Sequence, residues 1–151
     1  MVSFRDKKIT PNKKNVVLLP FNFQKREMRS KNQNINSEAL VSAIAEIMQA
    51  QKGKDIVSLN LNEIGSTVTD YFVVCHANSR TQVENIGNKI IDSIRDNMHE
   101  KPFHFEGFEN AEWILIDYVN VVVHVFIEAK RNYYQLESLW ADAPTKNYSE
   151  D

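Results

Sequence analysis

Hydrophobic residues recur at helical spacing in two segments of the chain. The first segment follows Asn36 or Ser37, either of which can cap a helix, and Gly53 favours an end to that helix. The second segment follows Asn78 or Ser79, which can again cap a helix start. The apolar stripes are Leu40, Ile44, Ile47 and Met48 in the first segment, and Val83, Ile86, Ile90, Ile94 and Met98, with Ile91 beside them, in the second. These spacings predict two amphipathic helices.

Other segments have the composition of β-strands. The alternating run IVSLNL at 56–61 predicts a strand with one buried face, and YFVVCH at 71–76 predicts a central strand covered on both faces. The runs WILID at 113–117 and VVVHVFI at 121–127 are separated by a short link, which predicts an antiparallel hairpin. Residues 103–111 are predicted to be a loop with at most a short extended piece.

A last helix is predicted near 128–140, after which Pro144 and a polar tail at 145–151 end the domain. The element order is then α-β-β-α-β-β-α, which predicts an α/β fold with a mixed β-sheet and helices packed on it. Residues 1–34 show no sustained period and are predicted to be a largely disordered arm. The folded domain is therefore expected to occupy residues 35–144.

Charge divides the chain at the same place. Residues 1–34 hold nine basic and two acidic residues, so the arm carries a net charge of +7. The rest of the chain carries a net charge of −9, and the two together give the total of −2. A nucleic-acid-binding fold needs a basic surface, so the acidic domain argues against direct nucleic-acid binding and permits a basic protein partner. Three interpretations of the arm stay open: a disordered arm, a weak transit peptide, or an upstream extension of a protein that starts at Met28. A start at Met28 would leave a net charge of about −7.

The composition restricts the chemistry further. One cysteine, Cys75, cannot form an internal disulfide, and no apolar run approaches the roughly 18 residues of a membrane span, so a cytoplasmic protein is predicted. The scattered glycines form no phosphate-binding loop, and the histidines have no metal-ligand spacing. His76 and His124 could meet on neighbouring strands, as could His104 and Glu106 within one segment, but structural roles are favoured. No catalytic residue, cofactor or metal is predicted.

An aromatic cluster remains between residues 113 and 140. On an alternating strand, Trp113, Leu115 and Asp117 share one face, and the opposite face includes Tyr118. If helices cover only one face of the sheet, Trp113 would be an exposed anchor for a protein partner, whereas Phe126 and Trp140 are expected to belong to the core. The alternative is that both faces are covered.

Three runs resemble the ribosomal silencing factor family, also called the Iojap or DUF143 family. They are DYFVVCHANSRTQVENI at 70–86, EG at 106–107 and WILIDYVNVVVHVFIEAKRNYYQLESLWADA at 113–143. The resemblance covers roughly residues 37–143. It implies a nucleotidyltransferase-like fold without the catalytic motif of those enzymes, and hence a protein that is not an enzyme. A nucleotidyltransferase-like enzyme stays a disfavoured alternative, because a close carboxylate pair is missing.

The resemblance also implies a function. Family members bind the large ribosomal subunit through its protein fourteen on the intersubunit face, and their bulk blocks association of the small subunit when nutrients are limiting. Organellar relatives act instead in assembly of the large subunit, and the sequence does not separate the two roles. The partner-binding residues expected from the resemblance and from strand alternation are Trp113, Leu115, Asp117 and Tyr118. A homodimer on the same face is a further possibility.

One position departs from the family pattern. The family usually has Gly-Asp between the hairpin strands, where this chain has Val119-Asn120. Because a β-branched residue is disfavoured at positive φ, the difference indicates another type of turn beside the expected contact region.

Overall fold

The computed structural model describes residues 36–66 and 68–148. The predicted arm at 1–34, with the alternative start at Met28, lies outside the described residues. Within them the strands are β1 Lys54–Asn60, β2 Tyr71–Ala77, β3 His104–Glu106, β4 Trp113–Asp117, β5 Val121–Ile127 and β6 Thr145–Tyr148. They form one mixed sheet with strand order β3-β4-β5-β2-β1-β6. Strands β2 and β5 pair in parallel, and the other neighbours are antiparallel. The mixed α/β fold predicted from the sequence is confirmed.

Both predicted helix starts are confirmed. Helix α1 spans Ser37–Ala50, and the Asn36 side chain accepts a hydrogen bond from the Glu38 amide at 2.8 Å. Helix α2 spans Arg80–Met98, and the Ser79 hydroxyl accepts from the Gln82 amide at 3.2 Å. These side chains satisfy amide groups that the first turn of a helix leaves without partners. No helix in the described part of the chain is both long and apolar enough to cross a bilayer.

The sheet is covered on both faces. Helices α1 and α2 pack on one face, and their apolar stripes meet the buried side chains of the central strands. On the other face lies a second cluster, in which residues near the C-terminus cover β2, β4 and β5. The buried members of the whole cluster are Val57, Leu59, Leu61, Phe72, Val74, Leu115, Val122, Phe126, Leu136, Trp140 and Ala143. The prediction that 56–61 has only one buried face was therefore wrong, since Ile56 and Val57 are buried on opposite sides. The expectation for 71–76 is confirmed.

The C-terminal region differs from the prediction in two respects. The single helix expected near 128–140 is two short helices, α3 Glu128–Tyr134 and α4 Leu136–Leu139, because Gln135 between them has a φ of 48°. Residues 145–148, expected in a polar tail, form strand β6 and pair antiparallel with β1. A four-residue edge strand is too short for its alternation to be distinguished from a tail.

Candidate partner-binding site

Three aromatic side chains follow one another on the sheet face that α3 and α4 cover. The Trp113 and Tyr134 rings lie 4.8 Å apart between centroids, and the Tyr134 and Tyr133 rings lie 5.0 Å apart. Trp113 and Tyr134 are half-buried, whereas Tyr133 is 75% exposed. We call Trp113, Tyr134 and Tyr133 the aromatic row. The row runs from the core to the surface and ends in the most exposed large hydrophobic side chain of the described residues.

Contacts below the surface fix the inner end of the row. The Trp113 indole stacks on Phe126 with 4.9 Å between ring centroids, and its Nε1 donates to His124 Nδ1 at 3.1 Å. A ring held by stacking and by a hydrogen bond has little rotamer freedom left to lose when a partner binds. The aromatic row is therefore pre-organised at Trp113.

His124 is fully buried beneath the indole. Burial lowers the pKa of this imidazole from 6.5 to about 3, because the apolar surroundings penalise the charged form. As Nδ1 accepts the Trp113 hydrogen bond, the proton of the neutral ring is assigned to Nε2. His124 is thus a structural acceptor that holds Trp113, as favoured from the sequence.

This arrangement predicts a loss of stability in mild acid. The unfolded chain takes up a proton at His124 below its ordinary pKa of 6.5, whereas the folded chain does so only near 3. The free energy of unfolding is therefore expected to fall between these values by up to about 1.4 kcal/mol per pH unit. Urea denaturation at several pH values measures this slope. His124→Gln keeps an acceptor for Trp113 and should flatten the slope, and equal slopes in both proteins would contradict the assignment.

The other residues expected to bind a partner lie in the interior. Leu115 and Asp117 are fully buried, and Tyr118 is 8% exposed. The predicted alternation is present, since Leu115 lies in the same cluster as Trp113 and Tyr118 lies in the cluster on the α1 and α2 side. Their burial differs from the expectation of surface contacts. Leu115 is buried because residues near the C-terminus cover its face of the sheet, whereas Tyr118 is buried on the side of α1 and α2.

Asp117 and Tyr118 instead shape the hairpin turn. The Asp117 carboxylate accepts from the Val119 amide at 2.7 Å, and the Asn120 amide donates to the Tyr118 carbonyl at 3.0 Å. The turn places Val119 at a φ of 76°, the positive value that the sequence argument disfavoured for a β-branched residue. Thr69 donates to the Val119 carbonyl at 2.8 Å, so contacts from two sides hold this conformation. A tight turn with positive φ at its centre stores backbone strain.

Burial also raises the pKa of the Tyr118 phenol, and the nearby charge of Glu100 adds to that shift. The phenol is therefore neutral at physiological pH.

A buried arginine attaches the C-terminal helices to the sheet. Arg131 on α3 donates through Nε and Nη2 to Glu137 on α4, at 3.3 and 2.6 Å. Its Nη1 lies 3.0 Å from His76 Nδ1 on β2 and donates to the Lys54 carbonyl on β1 at 3.3 Å. We call Arg131, Glu137 and His76 the arginine clamp. The sequence argument assigned Arg131 no role, because its partners on β1 and β2 are far from it along the chain. The surrounding segment also holds Glu128, Lys130 and Glu137, so no local pattern distinguishes Arg131 as the buried charge.

The arginine clamp explains His76 without a metal. Burial and the Arg131 charge lower the pKa of this imidazole, while the charges of Asp55 and Glu128 oppose the shift. His76 and His124 are not register partners, since His76 lies opposite Phe126 across the β2–β5 pair.

The remaining candidate residues have structural surroundings. His104 and Glu106 do come together, at 2.9 Å. Cys75 is fully buried, which raises the pKa of its thiol to about 12. Within residues 36–66 and 68–148 no group of three or more His, Cys, Asp or Glu side chains is placed to hold a metal ion.

The fold and the aromatic row together define the class of protein as a small mixed-sheet α/β domain with a fixed, partly exposed aromatic surface. Residues 34–151 match the family model described as ribosomal silencing factor during starvation. The chain is 40% identical over 110 residues to the ribosomal silencing factor RsfS of Bacillus subtilis, which covers 73% of this chain and 92% of that protein. The chain therefore belongs to the ribosomal silencing factor family.

Solved structures agree with this assignment. A crystal structure of a protein from Chromobacterium violaceum superimposes with a TM-score of 0.67 and 29% identity, over 71% of this chain and 88% of that one. A second, from Bacillus halodurans, gives a TM-score of 0.63 and 35% identity over 74% and 99%. The relatives are named as silencing factors, which is a regulatory role.

Proposed function

We propose that this protein silences the ribosome by steric occlusion: it binds protein fourteen of the large subunit at the intersubunit face and blocks association of the small subunit. The observation that carries the proposal is the aromatic row, a pre-organised surface that begins at Trp113 and ends at the exposed Tyr133. Aromatic side chains anchored in this way are the usual centres of binding energy at protein interfaces. Occlusion needs only a tight footprint and bulk.

The charge of the domain supports a basic partner. Residues 35–151 carry nine basic and 18 acidic residues. A surface of this sign is attracted to a basic ribosomal protein and repelled by bare RNA, which favours binding through protein contacts. Because such attraction is screened by salt, the association rate is expected to fall as ionic strength rises.

The proposed contact region consists of residues at the surface and of interior residues that support them. Trp113 contributes its exposed edge, together with the neighbouring tyrosines of the aromatic row. Leu115, Asp117 and Tyr118 contribute from the interior: Leu115 packs beneath the same face, and the other two residues set the hairpin turn. The proposed contact region is the one expected from the sequence, but Leu115, Asp117 and Tyr118 support it from the interior instead of contacting the partner.

A sedimentation experiment tests the proposal directly. The full chain is mixed with purified large subunits at physiological salt and centrifuged through sucrose, and subunit joining is followed by light scattering after small subunits are added. We expect co-sedimentation at a ratio approaching one copy per large subunit, and less light scattering in proportion to occupancy. Failure to associate with large subunits would exclude the proposal, and association without an effect on joining would exclude the occlusion mechanism.

A further inference from the structure

The hydrogen bond between His76 and Arg131 requires a neutral imidazole. A guanidinium has donors only, so His76 Nδ1, which lies 3.0 Å from Arg131 Nη1, must be the acceptor. The proton of the neutral ring is then assigned to Nε2, which lies 4.0 Å from the Asp55 carboxylate. Protonation of His76 turns Nδ1 into a second donor and places two positive charges in contact. The arginine clamp therefore holds His76 only in its neutral form.

The charged groups around His76 act in opposite directions on its protonation. Burial lowers the pKa of the imidazole most, and the charge of Arg131 adds to that effect. The negative charges of Asp55 and Glu128 raise the pKa, so they favour the protonated ring that the clamp rejects. By element, the charged groups near His76 or its partner are Lys54 and Asp55 on β1, Glu128 and Arg131 on α3, and Glu137 on α4. Strand β5 presents an apolar register partner, Phe126.

The arginine clamp connects the two C-terminal helices to the sheet. Helices α3 and α4 are only seven and four residues long. Arg131 joins them to β2 through His76 and to β1 through the Lys54 carbonyl, and Leu136 and Trp140 add apolar contacts in the second cluster. Short peripheral helices of this kind open locally at a lower free-energy cost than a central sheet. Loss of one clamp contact should therefore affect α3 and α4 before the rest of the domain.

We propose that the arginine clamp is a pH-sensitive latch: protonation of His76 breaks its hydrogen bond to Arg131, and α3 and α4 then open from the sheet more often. In the open state His76 is solvated and regains its ordinary pKa of 6.5, which is higher than its pKa in the closed state. Protons therefore bind the open state more tightly, and acid favours opening. The open population is expected to rise by up to about tenfold between pH 7.5 and 5.5 and to change little above pH 7.5.

The latch links the aromatic row to pH, a consequence that rests on the proposed function. Tyr133 and Tyr134 lie on α3 and move with it, whereas Trp113 stays on β4, where Phe126 and His124 hold it. Opening therefore separates the members of the row. The fraction of chains that can bind through the complete row falls by the fraction that is open.

Hydrogen exchange of the full chain without ribosomes tests the latch, so the result does not depend on the proposed function. The informative amides are those in α3 and α4 that exchange by local opening, recognised by protection that low urea concentrations do not change. They include the amides of Gln135 and Trp140, which donate to the carbonyls of Arg131 and Glu137. After correction for intrinsic exchange, their protection is expected to be about three- to tenfold lower at pH 5.5 than at pH 7.5.

His76→Asn is the variant that isolates the titration. The asparagine side-chain oxygen can accept from Arg131 in place of Nδ1 and has no proton to gain, so protection of α3 and α4 should change by less than about twofold between the two pH values. His104→Asn is the matched control, because His104 is exposed on β3 and two strands lie between β3 and β2. This variant should keep the full loss of protection. An equal loss in His76→Asn, or none in the unaltered chain, would overturn the proposal.

A second measurement needs no substitution. Nitrogen chemical shifts of the His76 ring, followed by NMR from pH 8 to 5, report which nitrogen carries the proton and where the ring titrates. We expect an unprotonated Nδ1 at pH 7.5 and a midpoint below 6.5. A proton on Nδ1 at pH 7.5, or a midpoint at or above 6.5, would contradict the latch even if no His76 variant folds.

Discussion

Gly107→Ala is expected to lower the free energy of unfolding by about 3–5 kcal/mol. Gly107 has a φ of 95°, and a Cβ at this position would collide with the backbone oxygen of Trp113. The positive φ costs an alanine about 1–3 kcal/mol as backbone strain. The collision forces backbone rather than a side chain to move, which costs about 1–3 kcal/mol more. The collision lies where β4 begins, so the substitution should also disturb the position of Trp113. Urea denaturation of the full chain measures the loss.

Gly65→Ala is the matched control. Gly65 has a similarly positive φ of 71°, but a Cβ there meets nothing within 4 Å. Only the conformational penalty remains, so we expect a loss of about 1 kcal/mol. If the two substitutions cost the same, the close approach of Gly107 to Trp113 is not what requires glycine at that position.

Local patterns predicted the elements that satisfy their own hydrogen bonds or pair with a neighbour in sequence. Asn36 and Ser79 mark both helix starts because a cap is a contact within one turn. The β4–β5 hairpin was predicted for the same reason, since its strands are joined by a short link. Alternation on β4 also assigned Trp113 and Leu115 correctly to one face of the sheet.

Non-local contacts explain what the sequence did not predict. The coverage of the Trp113 face depends on the arginine clamp, in which Arg131 contacts groups on β1, β2 and α4. Residues 145–148 form strand β6 because they pair with the edge of β1, and residues 104–106 form strand β3 because they pair with the edge of β4. Such short strands have too few residues for a period to be visible. The positive φ of Val119 likewise follows from its contacts with Asp117 and Thr69 and is contrary to the preference of valine itself.

Trp113→Ala is expected to weaken binding to the large subunit by about 30-fold or more. Within the proposed function, Trp113 is the rigid end of the aromatic row, and truncation of an aromatic anchor commonly costs 2 kcal/mol or more at an interface. The same substitution removes the stacking on Phe126 and the hydrogen bond to the buried His124, so it should also lower the free energy of unfolding by about 2 kcal/mol. Binding is measured by co-sedimentation and stability by urea denaturation.

Tyr133→Ala separates binding from stability. Tyr133 is 75% exposed, so its truncation should change the free energy of unfolding by less than about 0.5 kcal/mol while weakening subunit binding about fivefold or more. Phe105→Ala is the matched control, because Phe105 is also an exposed aromatic residue but faces the α1 and α2 side of the sheet. This variant should bind like the unaltered chain. Equal losses in the two variants would mean that exposed aromatic area in general, and not the aromatic row, recognises the subunit.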